Sequence, residues 1–207
     1  MTEAEWMSCA DPTPMLTSLY KSGGASYRKP RLFTCACCRL IPKFLDSQPD
    51  RENLLLAEAE ADGQFAVDED FSSDEVWDVR WYRQDEWDSA DRAISCFRQH
   101  IWDTGRLLDN PHQKAARREG DRTLCNLLRD ILGNPFRPVT VDPRWLTSTV
   151  VDLAAGIYAE RAFDRMPILA DALEEAGCDH ADILTHCRGD GPHVRGCWVV
   201  DLVLGKS

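Results

Sequence analysis

From Arg28 to Asp46 the apolar residues Phe33, Ala36, Cys37, Leu40, Ile41 and Phe44 recur at the i, i+3, i+4, i+7, i+8 spacing of an amphipathic helix. A chain written in this period buries a stripe against other helices and does not fit a sheet, whose faces alternate at every second residue. Pro42 is expected to kink or shorten the last turn.

The same period returns along the chain between start and stop signals. Thr2 to Glu5 reads T-x-x-E, a capping box, and Thr13-Pro14 opens a second helix that Gly23-Gly24 ends. Asp50 is expected to cap a helix from Arg51 to Asp62, closed by Gly63, and Ser73 a long one carrying Val76, Trp87, Ala90, Ile94, Phe97 and Ile101. A further helix spans Pro111 to Leu132 and stops at Gly133-Asn134-Pro135. Thr147 caps Ser148 to Arg161, where Val150, Ala154, Ile157 and Tyr158 share a face. Asp164 and Pro167 start Met166 to Ala176, and Asp179 starts a short helix that runs to Cys187. The WVVDLVL run near the end suits a buried strand as well as a buried helix; helix is preferred because no other segment supplies a strand partner. The expectation is an all-α, compact multi-helix bundle, with room for a minor irregular or short β element near the C-terminus. Residues 1–207 read as a single helical domain. The three prolines of Asn134 to Pro143 mark where it would divide, into 1–133 and 144–207.

At 207 residues and 43% hydrophobic content the chain can bury a core, so disorder is not expected. No apolar run approaches the roughly 20 residues that span a bilayer, and the start lacks the basic and apolar segments of a signal peptide. A cytoplasmic location is expected. In that reducing compartment nine cysteines, an odd number, are not a disulfide framework but buried thiols, metal ligands or redox groups. The net charge of −11 is uneven: Asp46 to Asp91 holds 16 acidic residues against three arginines, a balance of −13. Such a chain lacks the clustered cations that neutralise phosphates, so nucleic acid is not the expected partner. A protein with a basic surface is.

Two stretches carry a resemblance: MTEAEWMSCADPTPML with RLFTCACCRL, and the end, from GNPFRPVTVDPRWL through ERAFDRMPILADALEEAGC to HCRGDGPHVRGCWVVDLVLGK. They resemble a family of uncharacterised bacterial proteins of the planctomycete type, and ILADALEEAG is similar to the helical core of the short repeat-companion domain found in such proteins. Together they cover somewhat more than half the chain. The resemblance implies a recurring fold and transfers no catalytic residue.

The sharpest local chemistry is Cys35-Ala36-Cys37-Cys38. On a helix Cys37 falls in the apolar stripe, whereas Cys35 and Cys38 project together from another face, at a spacing able to supply half of a tetrahedral zinc site. The segment His186-Cys187-x5-His193-x3-Cys197 is the densest Cys/His cluster in the chain. Cys35 and Cys38 with two of Cys187, His193 and Cys197 are therefore expected to bind zinc and clip the two ends together. The alternative is that these thiols are small buried hydrophobes. A Cys/His nucleophile among Cys187, His193 and Cys197 is conceivable, yet no P-loop, dinucleotide fingerprint, H-E-x-x-H or G-x-S-x-G supports an enzyme. Gly189 to Gly196 reads as a tight connector or as an anion cradle beside Arg188 and Arg195.

In DEVWDVRWYRQDEWDSADR, Trp77 and Trp81 lie one turn apart among Asp78, Asp85 and Glu86. The pattern suits aromatic anchors in a charged rim, and equally a packed face with a solvated outer side. The expected function is a non-enzymatic interaction or regulatory module held by a Cys/His zinc site. Its competitors are a small thiol- or metal-dependent enzyme and an acidic mimic of nucleic acid that binds a basic protein.

Overall fold

The computed structural model describes residues 1–22, 26–64, 86–104 and 110–206. Among them the fold is all-α. It consists of α1 (Glu3–Ser8), α2 (Pro12–Ser22), α3 (Arg28–Arg39), α4 (Gln48–Ala61), α5 (Glu86–Thr104), α6 (Asn110–Leu132), α7 (Ser148–Glu160), α8 (Met166–Glu175), α9 (Ala181–Arg188) and α10 (Trp198–Leu204). The chain forms two compact units, Met1–Leu128 and Arg129–Ser207, so the division falls inside α6 and the proline-rich segment belongs to the second unit.

In the first unit the capping box forms: Thr2 Oγ1 accepts the Glu5 amide at 3.3 Å, and Glu5 Oε2 accepts the Thr2 amide at 2.7 Å. It places Trp6, fully buried, one turn in. α3 packs against both α4 and α5, and nearly all of it is buried as a result, Cys35, Cys37 and Cys38 included. The helix ends at Arg39, earlier than the apolar period suggests, and Pro42 begins a separate 3-10 turn, Pro42–Phe44. The cap of α4 is Ser47, whose Oγ accepts the Asp50 amide at 3.1 Å, and not Asp50 itself; Pro49 fits the first turn, which moves the start upstream. Three ion pairs tie α3 and its flanks to α4: Arg28–Asp62 at 2.8 Å, Arg31–Glu60 at 3.0 Å and Arg39–Glu58 at 2.9 Å. α5 and α6 meet closely at Gly120, where an added Cβ would run into Cδ1 of Ile101.

In the second unit Thr147 Oγ1 accepts the Val150 amide at 3.4 Å, and the stripe Val150, Ala154, Ile157 and Tyr158 is buried as its spacing predicts. α7 packs on α8 and α10, and α8 on α9. Their shared core includes Met166, Leu169, Leu173, Ile183, Cys187, Val199, Val200 and Val203. The last apolar run is the helix α10, so its strand alternative is not adopted. α9 starts at Ala181 with His180 as its cap residue, two positions beyond Asp179. Gly133 ends α6 with φ +66°, and a Cβ there would stand 3.2 Å from Cγ of Trp198, so the turn needs glycine for both conformation and space. No helix among the described residues is long and apolar enough to cross a membrane.

Candidate metal centre

Asp130 lies in the last turn of α6, where Leu127, Leu128 and Ile131 around it are all buried. A carboxylate on such a face must be hydrogen-bonded or coordinated, because burying it bare costs several kcal/mol. Its partners come from three other places in the second unit: His186 in the last turn of α9, His193 in the connector that follows, and Cys197 immediately before α10. One ligand atom from each of the four lies within 4.8 Å of all the others.

Asp130 Oδ1 sits 2.9 Å from His193 Nδ1 and 3.1 Å from His186 Nε2. The same His186 Nε2 is 3.2 Å from Cys197 Sγ. Asp130 Oδ2 accepts the Val194 amide at 3.0 Å, which fixes the carboxylate and leaves Oδ1 facing the two rings. On its far side His193 Nε2 is 3.4 Å from the Gly189 carbonyl, a partner for an Nε2–H that would leave Nδ1 free to take an ion in place of the proton it shares with Asp130. The two imidazoles meet edge to face, with centroids 4.8 Å apart, and Trp198 lies 5.2 Å from His186. One carboxylate oxygen, two ring nitrogens and one sulfur are thus gathered in one small region. In a four-coordinate zinc site, bond lengths near 2.0–2.3 Å set neighbouring ligand atoms about 3.3–3.6 Å apart, wider than the three short contacts here and inside the 4.8 Å that bounds every pair of the four.

The electrostatics fit a cation-seeking cluster. Burial alone would raise the Asp130 pKa, but hydrogen bonds from His186 and His193 and their charge hold it below the ordinary carboxylate value. Burial pulls His193 down, and Asp130 more than reverses that, leaving its pKa raised. Burial drives the Cys197 thiol far up and the Asp130 charge adds to this, while the Val200 and Val199 amides pull the other way. Without a metal the cluster must hold protons between its lone pairs; a divalent ion can take their place.

His193 and Cys197, two of the expected ligands, are brought together. Cys187 is not part of the group: it is buried in the apolar core with Ile183 and Cys178, and its pKa is pushed up to about 12, first by burial and then by Cys178 and Asp130. Cys35 and Cys38, in the first unit, pack with Leu54 and Ala57 of α4. Asp130 was not among the expected ligands, and His186, a member of the Cys/His cluster, was left out of the expected set. The charge on the apolar face of α6 was the available signal for the first. For the second it was the i, i+4 pairing of Ile183 with Cys187, which turns the adjacent His186 to another face. Of the expected interaction residues, Trp77, Asp78, Trp81 and Asp85 lie outside the described residues, and Glu86 begins α5. Within the acidic region, Glu58, Glu60 and Asp62 are engaged by arginines. No family model, curated protein or solved structure matches the chain.

Proposed function

We propose that the second unit is a metal-stabilised, non-enzymatic interaction or regulatory module, and that the ion held by Asp130, His186, His193 and Cys197 is zinc. The observation that supports this most is the convergence of four donors of three types, drawn from separate points in the sequence, on one space. Sulfur with two imidazoles and one carboxylate suits Zn²⁺, whereas Mg²⁺ and Ca²⁺ favour oxygen alone. Four protein donors leave no vacant position for a substrate, which favours a structural over a catalytic ion.

The competing thiol-enzyme reading meets a geometric obstacle. A nucleophile–base–acid arrangement needs the acid on the opposite ring nitrogen from the thiol, but Cys197 and Asp130 both approach Nε2 of His186. Cys197 is also fully buried. The partner we infer is a protein with a basic surface, on the strength of the −13 balance between Asp46 and Asp91, less the three charges of Glu58, Glu60 and Asp62 that Arg39, Arg31 and Arg28 already meet. Elemental analysis of the purified chain should find close to one zinc per molecule, and cobalt substitution should give the visible spectrum of a thiolate-bound tetrahedral ion. A metal-free protein that takes up neither ion would refute the assignment.

A further inference from the structure

Three ligands of the quartet bracket one stretch of chain, Gly189 to Gly196, which joins α9 to α10 without regular secondary structure. His186 precedes it, His193 lies within it and Cys197 follows it; the fourth ligand, Asp130, stands on α6. Two hydrogen bonds from this connector, His193 Nδ1 and Val194 N–H, end on the single carboxylate of Asp130. Gly191 has nothing within 4 Å of where a Cβ would stand, whereas the end of the connector is also held by the Cys197 amide on the Val194 carbonyl at 2.9 Å and by Arg195 over the Tyr158 ring at 4.6 Å, so the quartet is what fastens the connector to α6 while these contacts shape its last turn. With protons between the lone pairs, the cluster ties connector and helix by hydrogen bonds that water can replace. With a dication, the same atoms become ligands of one centre.

Resting on the zinc reading, we infer that metal loading is the latch that keeps Gly189–Gly196 folded against α6, so that zinc availability regulates whether this segment is closed or open. Mass action gives the size of the effect. At free zinc one hundred times the dissociation constant, the opened population falls about 100-fold. Proteolysis reports that population when reclosing outpaces cleavage.

The peptide bond after Arg195 lies inside the connector and offers trypsin a direct probe. The full-length protein is digested with zinc, with EDTA, and with EDTA followed by zinc or by magnesium, and cleavage after Arg195 is followed by mass spectrometry. Cleavage at this bond should rise about 100-fold in EDTA, return to the slow rate with zinc and stay fast with magnesium. Asp130→Asn and His193→Gln should be cut fast even in zinc; because chelation acts on the unaltered chain, a variant that fails to fold does not remove the test. If one equivalent of zinc binds and cleavage after Arg195 does not respond, the latch is overturned while the metal site stands. If no zinc binds, both fall.

Discussion

The thiols of α3 and the thiol before α10 begin as the same residue type and end in opposite surroundings. Cys35 and Cys38 meet Leu54 and Ala57, so the face that would project them as ligands is covered by α4 and the sulfurs serve as small apolar groups. Cys197 is equally buried, yet it faces His186 at 3.2 Å, beside a carboxylate. Burial alone does not separate a core cysteine from a ligand. What separates them is whether the atoms around the sulfur carry lone pairs that a hydrocarbon interior cannot satisfy.

The sharpest way to break that contrast is to remove one thiol from each place. Cys197→Ala should abolish near-stoichiometric zinc in elemental analysis. At zinc a hundred- to a thousandfold above the dissociation constant it should also cost about 3–4 kcal/mol in urea unfolding through lost binding, a part that disappears in EDTA and leaves only the packing cost of the emptied thiol site. Cys38→Ala should leave zinc content unchanged. If Cys38→Ala releases the metal, α3 is a ligand helix and the distinction fails.

A second substitution sharpens the apolar side. Leu54 is buried against Cys35 and Cys38, and Leu54→Ala leaves a cavity there worth about 3 kcal/mol. Measured by the same unfolding, this cost should be indifferent to EDTA. A cost that depends on chelation would mean that the first unit's thiols answer to metal after all.

Helix identity was largely legible in the sequence because local rules decide it. Thr2 with Glu5, Thr147, and the glycines at 63 and 133 act within one turn of where they stand, and the structure uses each. α10 was settled by an argument of absence, the lack of a strand partner. Where two local signals competed, the reading slipped: Ser47 and Asp50 can both cap, and the proline between them favours the earlier start. The candidate quartet was only half legible. His193 and Cys197 stand four residues apart in a visible cluster, but Asp130 lies more than fifty residues upstream among leucines. No spacing rule links it to them. Only the packing that brings the end of α6 to the α9–α10 connector does, and a single sequence records that packing solely as a charge where an apolar residue is due.

The smallest effect comes from a charged cluster that, like the candidate centre, is built around a carboxylate but lacks its enclosure. Arg98 donates to Asp121 at 2.7 Å, to Asp11 at 2.8 Å and to Thr13 at 3.1 Å, while Asp11 Oδ1 also accepts the Thr13 amide at 3.0 Å. Partial burial raises the Asp11 pKa, and the Thr13 amide and Arg98 outweigh it, so the group ends below its ordinary 3.8. A depressed carboxylate pKa stabilises the fold above the unfolded value and loses that contribution as pH falls through the folded value. Because Asp11 is largely exposed, solvent screens the pair and Asp11→Asn should cost only about 0.5 kcal/mol near neutrality. The difference between the two proteins should shrink to nothing once the medium is acidic enough to protonate Asp11 in the folded chain, and it should weaken in high salt. A cost that persisted in acid would have to come from something other than the carboxylate's charge, because the unaltered side chain is then as neutral as the amide that replaces it.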